Sequence, residues 1–221
     1  MFWEIWSKMD EDIAIINQNT RVSLIKKFFK ENSKKILSFI FIIIALLLIY
    51  FAYDEFKKRK KINLAATYNS LIFNTDKFSK EEIKNKMIEI INGKVDTYST
   101  LALYYLLDNN LINDQVKVGE LFDKVISINK DVELKNLVIF KKGLYFSDKL
   151  EEGELLKILN PIINSESIWK QHALLLMGDF YFYKKQFNKS KEFFSKIIEL
   201  KNVNPKIKTD VEKRLNRDFS E

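Results

Sequence analysis

Residues Ile36–Tyr53 read ILSFIFIIIALLLIYFAY, and this stretch determines how the rest of the chain is organised. The run is 18 residues long, carries no charge, and has Ser38 as its only strongly polar member. At about 1.5 Å of rise per residue, a helix of this length spans roughly the ~30 Å hydrocarbon core of a bilayer. Basic residues bracket the run at Lys34, Lys35 and Lys57–Lys61, where lipid headgroups would lie. The sequence therefore predicts a transmembrane helix over residues 36–53.

Two other interpretations of the apolar run are a buried core helix and a cleaved signal peptide. A core helix has no need of lysines at both ends, whereas a membrane helix uses them at the headgroups. The apolar part of a signal peptide has about 7–15 residues and follows a short basic segment. Here 35 residues precede the run, which ends in YFAYDEF without an A-x-A-like cleavage site. We therefore expect an uncleaved anchor.

The predicted anchor divides the chain into an N-terminal arm, residues 1–35, and a large domain, residues 54–221. From Thr20 the arm has an apolar and a basic side, which is typical of a short amphipathic helix lying on a membrane. A simple helical extension of the anchor is the alternative. Within about 20 residues of the anchor, 6 Lys/Arg precede it and 5 follow it, so the positive-inside rule assigns no orientation.

Composition favours helices and argues against several kinds of site. The chain has 5 Gly and 2 Pro, which is poor material for β-turns. It has no cysteine, and His172 is its single histidine, so thiolate sites, histidine metal sites and a Ser-His-Asp triad are not expected. The nucleotide-binding, nucleophile-elbow and zinc-protease motifs do not occur. We therefore expect no enzyme and no cofactor, with His172 a polar surface residue.

The net charge of +7 is concentrated around the anchor. Residues 1–61 hold 12 Lys/Arg against 7 Asp/Glu, whereas residues 62–221 hold 25 against 23. A nucleic-acid-binding domain would need a basic stripe in the larger part. We therefore expect membrane lipid, through the single span, and protein as partners, and no nucleic acid.

Helical periodicity continues beyond the anchor, and no stretch shows sustained alternation of period two. The segment after Tyr53 is expected to continue as a helix into the large domain. The next predicted helix covers residues 80–91, with Gly93 as its C-cap. Further helices are predicted over residues 99–107, 116–128, 134–146, 153–163, 169–185, 188–200 and 205–215. Short polar linkers join them, so we predict an all-α domain of antiparallel helical hairpins.

The clearest repeat unit covers residues 172–205, HALLLMGDFYFYKKQFNKSKEFFSKIIELKNVNP. It resembles the tetratricopeptide pattern W-x2-L-G-x2-Y…A-x3-F…P. Three positions match and three are replaced: Gly178, Tyr181 and Phe194 match, while Leu174, Met177 and Ser190 replace the Trp, Leu and Ala. Earlier units are degenerate, and an unspecified stack of α-hairpins is the alternative. The predicted fold is an N-terminal transmembrane helix followed by a tetratricopeptide-like α-hairpin solenoid, with residues 205–215 as its capping helix.

The repeat register assigns side chains on the helix of residues 169–185 to two faces. Small residues at Gly178 and Ser190 would let two helices approach closely, and Tyr181 and Phe194 would fill the remaining space. Leu175, Asp179 and Phe182 share another face, at i, i+4 and i+7. By resemblance to tetratricopeptide repeats, that face lines a concave protein-binding groove. Ordinary packing against the next helix, or an exposed patch, is the alternative.

The segment IKKFFKENSKKIL, which leads directly into the span, resembles the start of the bacterial ancillary Sec-translocon subunit family. The later segment LNPIINSESIWKQHALLLMGDFYFYKKQFNKSKEFF is similar to the last repeat of that family. The resemblance implies an inner-membrane protein with a cytoplasmic N-terminus and a periplasmic helical domain. It also implies association with the Sec translocon and periplasmic chaperones in support of newly exported proteins. The alternative is a membrane-anchored scaffold for an envelope complex unrelated to secretion.

Overall fold

The structure is a computed structural model that describes residues 20–219. Every regular element in this range is helical, and the range contains no strand. The chain divides into two compact units, Met1–Arg59 and Lys60–Glu221. The predicted all-α class is confirmed. Residues 1–19, most of the predicted arm, lie outside the described residues.

The described part of the first unit consists of helix. Helix α1 covers residues 20–31, a turn follows at Asn32, and helix α2 is Ser33–Phe73. The backbone N–H of Asn32 donates to Phe28 at 2.9 Å and that of Ile36 donates to Asn32 at 2.9 Å, so helical hydrogen bonding continues across the turn. Helix α2 is long and apolar enough to cross a membrane. It also continues well past Tyr53, as expected from the sequence.

The second unit contains the end of α2 and eight further α-helices within the described residues. They are α3 (Lys80–Asn92), α4 (Asp96–Asp108), α5 (Gln115–Ile128), α6 (Val132–Phe146), α7 (Glu152–Ile163), α8 (Lys170–Tyr183), α9 (Phe187–Ile198) and α10 (Pro205–Asp218), with a short 3₁₀ helix at Thr75–Lys77. Each predicted helix of the large domain is present. The ends differ by at most three residues, as where α4 begins at Asp96 rather than at Ser99.

Local capping explains where several of these helices begin. The Ser79 hydroxyl accepts from the backbone of Glu82, whose carboxylate accepts from the backbone of Ser79, which forms a capping box for α3. The side chains of Asp114, Asp131 and Asn204 each accept from one backbone N–H in the first turn, of α5, α6 and α10 respectively. Gly93 is the C-cap of α3 as predicted, with a right-handed φ of −62°. The left-handed residue of this turn is Lys94, with φ of 56°.

Successive helices of the second unit pack against one another, and alternate helices also touch. Ser99 of α4 donates to the carbonyl of Ile90 at the end of α3 at 3.3 Å. Lys124 of α5 reaches Asn92 of α3, two helices earlier. The core comprises two adjoining apolar clusters. One joins α2 to α6 around Met87, Leu106 and Phe122, and the other joins α6 to α10 around Leu159, Met177 and Ile197.

Candidate protein-binding surface

Helices α8 and α9 form the most closely packed hairpin of the second unit around Gly178. A Cβ placed on Gly178 would lie 2.3 Å from Cε1 of the Phe194 ring, which is too close for any real contact. The Ser190 hydroxyl donates to the carbonyl of Gly178 at 2.8 Å. Tyr181 is buried and stacks on Phe193, with ring centroids 5.3 Å apart. The four residues assigned to repeat packing, Gly178, Tyr181, Ser190 and Phe194, therefore lie together in this hairpin.

The predicted groove face of α8 lies beside α10. Asp179 forms an ion pair with Arg214 of α10. The Phe182 ring contacts Phe219 at 6.0 Å between centroids, and it remains 37% exposed. Leu175 is half-buried next to the start of α10. The structure thus brings Leu175, Asp179 and Phe182 onto one side of α8, and α10 covers part of that side.

The contact between α8 and α10 has a clear electrostatic component. Burial raises the pKa of the Asp179 carboxyl above its usual range, and Arg214 opposes that shift. Arg214 also pairs with Asp210 on its own helix at 3.1 Å and lies over the Phe194 ring at 5.7 Å. One guanidinium therefore links α10 to both helices of the hairpin.

A second surface runs across α4, α6 and α8. The ammonium group of Lys141 on α6 lies 4.9 Å from the centroid of the Tyr104 ring on α4. Next to Lys141 on α6, the Phe140 ring stacks on Trp169 at 5.9 Å and meets His172 edge-on at 5.8 Å. Trp169 and His172 are 5.2 Å apart. The side chains thus make two groups of contacts, Lys141 with Tyr104 and Phe140 with Trp169 and His172, which are neighbours at residues 140 and 141 of α6.

Two exposed leucines extend this surface. Leu101 lies three residues before Tyr104 on α4, and Leu144 lies four residues after Phe140 on α6, so each shares a face with its neighbour. Leu144 is 50% exposed and Leu101 is 39% exposed. We call the whole set, Leu101, Tyr104, Phe140, Lys141, Leu144, Trp169 and His172, the aromatic row.

The surroundings of the aromatic row hold its rings in place. The Glu133 carboxylate at the start of α6 accepts from the Ser167 hydroxyl at 2.8 Å and from the backbone of Ile168 at 3.3 Å. These bonds fix the linker that leads into Trp169. Burial, with a smaller effect from Asp108, raises the pKa of Tyr104 to about 12. The Tyr104 hydroxyl and Nδ1 of His172 are buried and have no hydrogen-bond partner among residues 20–219.

The sequence indicated only part of this surface. His172 was expected to be a polar surface residue, but it lies half-buried between two aromatic rings. The spacing of Phe140, Lys141 and Leu144 on one face of α6 is visible in the sequence. This spacing predicted the helix, but it did not show that this face of α6 would remain partly exposed to solvent.

Comparison with protein-family models, with curated proteins and with solved structures finds no match to this chain. Within the described residues, no group of three or more histidine, aspartate or glutamate side chains could hold a metal ion.

Proposed function

We propose that this chain is a single-span membrane protein whose helical domain binds other proteins. Helix α2 supports the anchor, since it is 41 residues long and contains the uncharged apolar run of residues 36–53. Leaving an uncharged apolar run of this kind in water is unfavourable in free energy. The exposed side chains of this run include Phe41, Leu48 and Ile49. Burial in a bilayer removes this apolar surface from water.

We further propose that the domain is a tetratricopeptide-like solenoid. In such folds alternate helices line up side by side, so that each repeat contacts its neighbours. Contacts between alternate helices support this arrangement. Phe140 joins α6 to α8, Asp179 joins α8 to α10, and Lys189 of α9 pairs with Glu152 of α7 at 2.7 Å.

The aromatic row is the observation that best supports protein binding. Binding surfaces draw most of their energy from a few aromatic anchors in partly enclosed positions, with apolar side chains around them. Phe140 and Trp169 are held by neighbouring rings and by the linker bonds to Glu133. They are therefore ordered in advance, and a partner would lose little conformational entropy in ordering them. An extended or partly unfolded segment of another protein would fit along such a row.

The proposed partners are the Sec translocon, periplasmic chaperones and newly exported proteins, with the N-terminus in the cytoplasm and the domain in the periplasm. This part of the proposal rests on the resemblance of IKKFFKENSKKIL and the last repeat to the ancillary translocon subunit family. A scaffold for an unrelated envelope complex would use the same anchor and the same surface. Only the identity of the bound proteins distinguishes the two.

Photocrosslinking in bacterial membranes tests the function. A photoreactive amino acid is placed at Leu144 in the aromatic row, and, as a matched control, at Lys191, which is exposed on α9. We expect crosslinks from position 144 to translocon subunits, chaperones or exported chains, with few from position 191. Crosslinks from position 144 to components of another envelope complex would favour the scaffold. Equal yields from both positions would contradict binding at the aromatic row.

A further inference from the structure

Helix α10 and Leu175 border an open concavity at the end of the aromatic row. One cavity of ≈ 670 Å³ is lined by Leu175, Pro205, Lys206, Ile207, Thr209, Asp210 and Lys213. Another, of ≈ 680 Å³, is lined by Asp210, Lys213, Arg214, Asn216 and Arg217. Because both cavities include Asp210 and Lys213, they adjoin along α10. Leu175 lies three residues after His172 on α8, so the concavity begins about one helical turn from the aromatic row.

The lining of this concavity is basic. Asp210 is its only acidic residue, and that carboxylate already pairs with Arg214. Arg214 in turn pairs with Asp179, the nearest acidic residue on α8. Lys206 and Lys213 form no ion pair with any side chain that the structure describes. Their two ammonium groups lie beside the apolar Leu175, and the one described carboxylate in the lining, Asp210, pairs with Arg214 instead.

The apolar side of α10 determines where these lysines lie. Val211 is fully buried, and Ile207 and Leu215 pack against the same core cluster. Lys206 and Lys213 are seven residues apart, about two helical turns, and so share one face of α10. This face differs from that of Val211, and both lysines are exposed. Burial of the apolar stripe thus presents the two lysines on the open side of the helix.

We propose that this concavity binds acidic residues that adjoin the apolar segment of a protein partner. This inference rests on the proposed function, because the apolar part of the segment lies on the aromatic row. Aspartate or glutamate side chains at one end of the segment then meet Lys206 and Lys213, and Leu175 contacts the aliphatic part of the segment. The preferred partner is a peptide with leucine or phenylalanine residues followed by a short acidic run.

The test uses the full chain in nanodiscs of neutral phosphatidylcholine. Two fluorescein-labelled peptides are titrated by anisotropy: one has leucine and phenylalanine residues followed by three glutamates, and in the other the glutamates are glutamines. We expect the glutamate peptide to bind about 2- to 30-fold more tightly at low salt, the range of two exposed charge pairs. The preference should shrink as salt is raised. Lys206→Gln/Lys213→Gln should abolish it without changing affinity for the glutamine peptide.

A matched control removes the same charge elsewhere. Lys191→Gln/Lys208→Gln changes two exposed lysines that do not line the concavity, and this variant should keep the preference for glutamate. If both peptides bind the parent equally, or if Lys206→Gln/Lys213→Gln keeps the preference, the acidic-segment inference is wrong and the proposed function stands. If neither peptide binds the parent, the proposed function fails together with the inference.

Discussion

Substitution of Gly178 probes the packing of the α8–α9 hairpin most directly. The Cβ of an alanine there would lie 2.3 Å from Cε1 and 2.5 Å from Cδ1 of Phe194. The Phe194 ring is 1% exposed and touches Phe219 at 6.2 Å between centroids, so it has little room to move. The backbone of α8 is also held by the hydrogen bond from Ser190. Gly178→Ala therefore forces two packed helices apart.

Two opposing effects set the magnitude. Alanine is better than glycine inside a helix by about 1 kcal/mol, which stabilises the variant. Overpacking a rigid core costs about 1–3 kcal/mol. We expect Gly178→Ala to lower the unfolding free energy by up to about 2 kcal/mol, and Gly178→Leu to lower it further. For a domain of this size, 1 kcal/mol shifts the melting temperature by about 2–4 °C.

Gly119 supplies the control, because it also lies inside a helix but has space around it. A Cβ there would lie 3.9 Å from the Phe146 ring, an ordinary contact. Gly119→Ala should therefore raise stability by up to about 1 kcal/mol. Thermal unfolding of the full chain in detergent, followed by circular dichroism, measures all three variants. The reasoning is refuted if Gly178→Leu melts with the parent, or if Gly119→Ala loses as much stability as Gly178→Ala.

Three further predictions concern individual residues, and a fourth concerns the proposed orientation. Lys185 has a left-handed φ of 59°, so Lys185→Gly should raise the unfolding free energy, measured by urea titration, by about 0.5–1 kcal/mol. Lys184 has a right-handed φ of −74°, so Lys184→Gly should not raise it. Tyr181→Ala should lower the unfolding free energy by about 3–5 kcal/mol, because it leaves a cavity, and Phe182→Ala, at a partly exposed ring, should lower it by only about 1 kcal/mol. Equal losses would contradict the assignment of Tyr181 to the buried face of α8 and of Phe182 to its open face. Tyr104 has its ordinary pKa of about 10 in the unfolded chain and a pKa of about 12 in the folded chain. The stability that this shift provides is therefore complete below pH 10 and is lost as the pH rises through 12. The unfolding free energy of Tyr104→Phe should fall less steeply than that of the parent over that interval. Protease added to spheroplasts should digest the domain beyond α2, and full protection would reverse the proposed orientation.

Helix positions in the large domain were predictable because they depend on local chemistry. Helix α3 was predicted over residues 80–91 and occupies Lys80–Asn92, since Ser79 and Glu82 supply a capping box and Gly93 follows the last turn. Helix α10 begins at Pro205 as predicted, because proline suits the first turn of a helix. It continues to Asp218, beyond the predicted end at Leu215, where no glycine or proline stops it.

The covering of the α8 face by α10 could not be predicted in the same way. Periodicity shows which side chains share a face, but not which other helix will meet that face. Arg214 lies 35 residues after Asp179, and no short-range pattern connects them. The same holds for Phe140 and Trp169, which come from different helices. A repeat pattern can therefore assign residues to a face, but only the tertiary structure shows which helix covers that face.

The position of α8 in the chain explains why the strongest candidate surface lies toward α6. Helix α8 has a neighbour on both sides, since Asp179 meets α10 and His172 meets α6. Helix α10 covers part of the Leu175–Phe182 side of α8, and the side chains of α10 are mostly charged. The side toward α6 instead carries stacked rings next to the exposed Leu144. Under the proposed function, a partner would gain most of its apolar burial on the aromatic row, and the α10 end would contribute the charge that selects among partners.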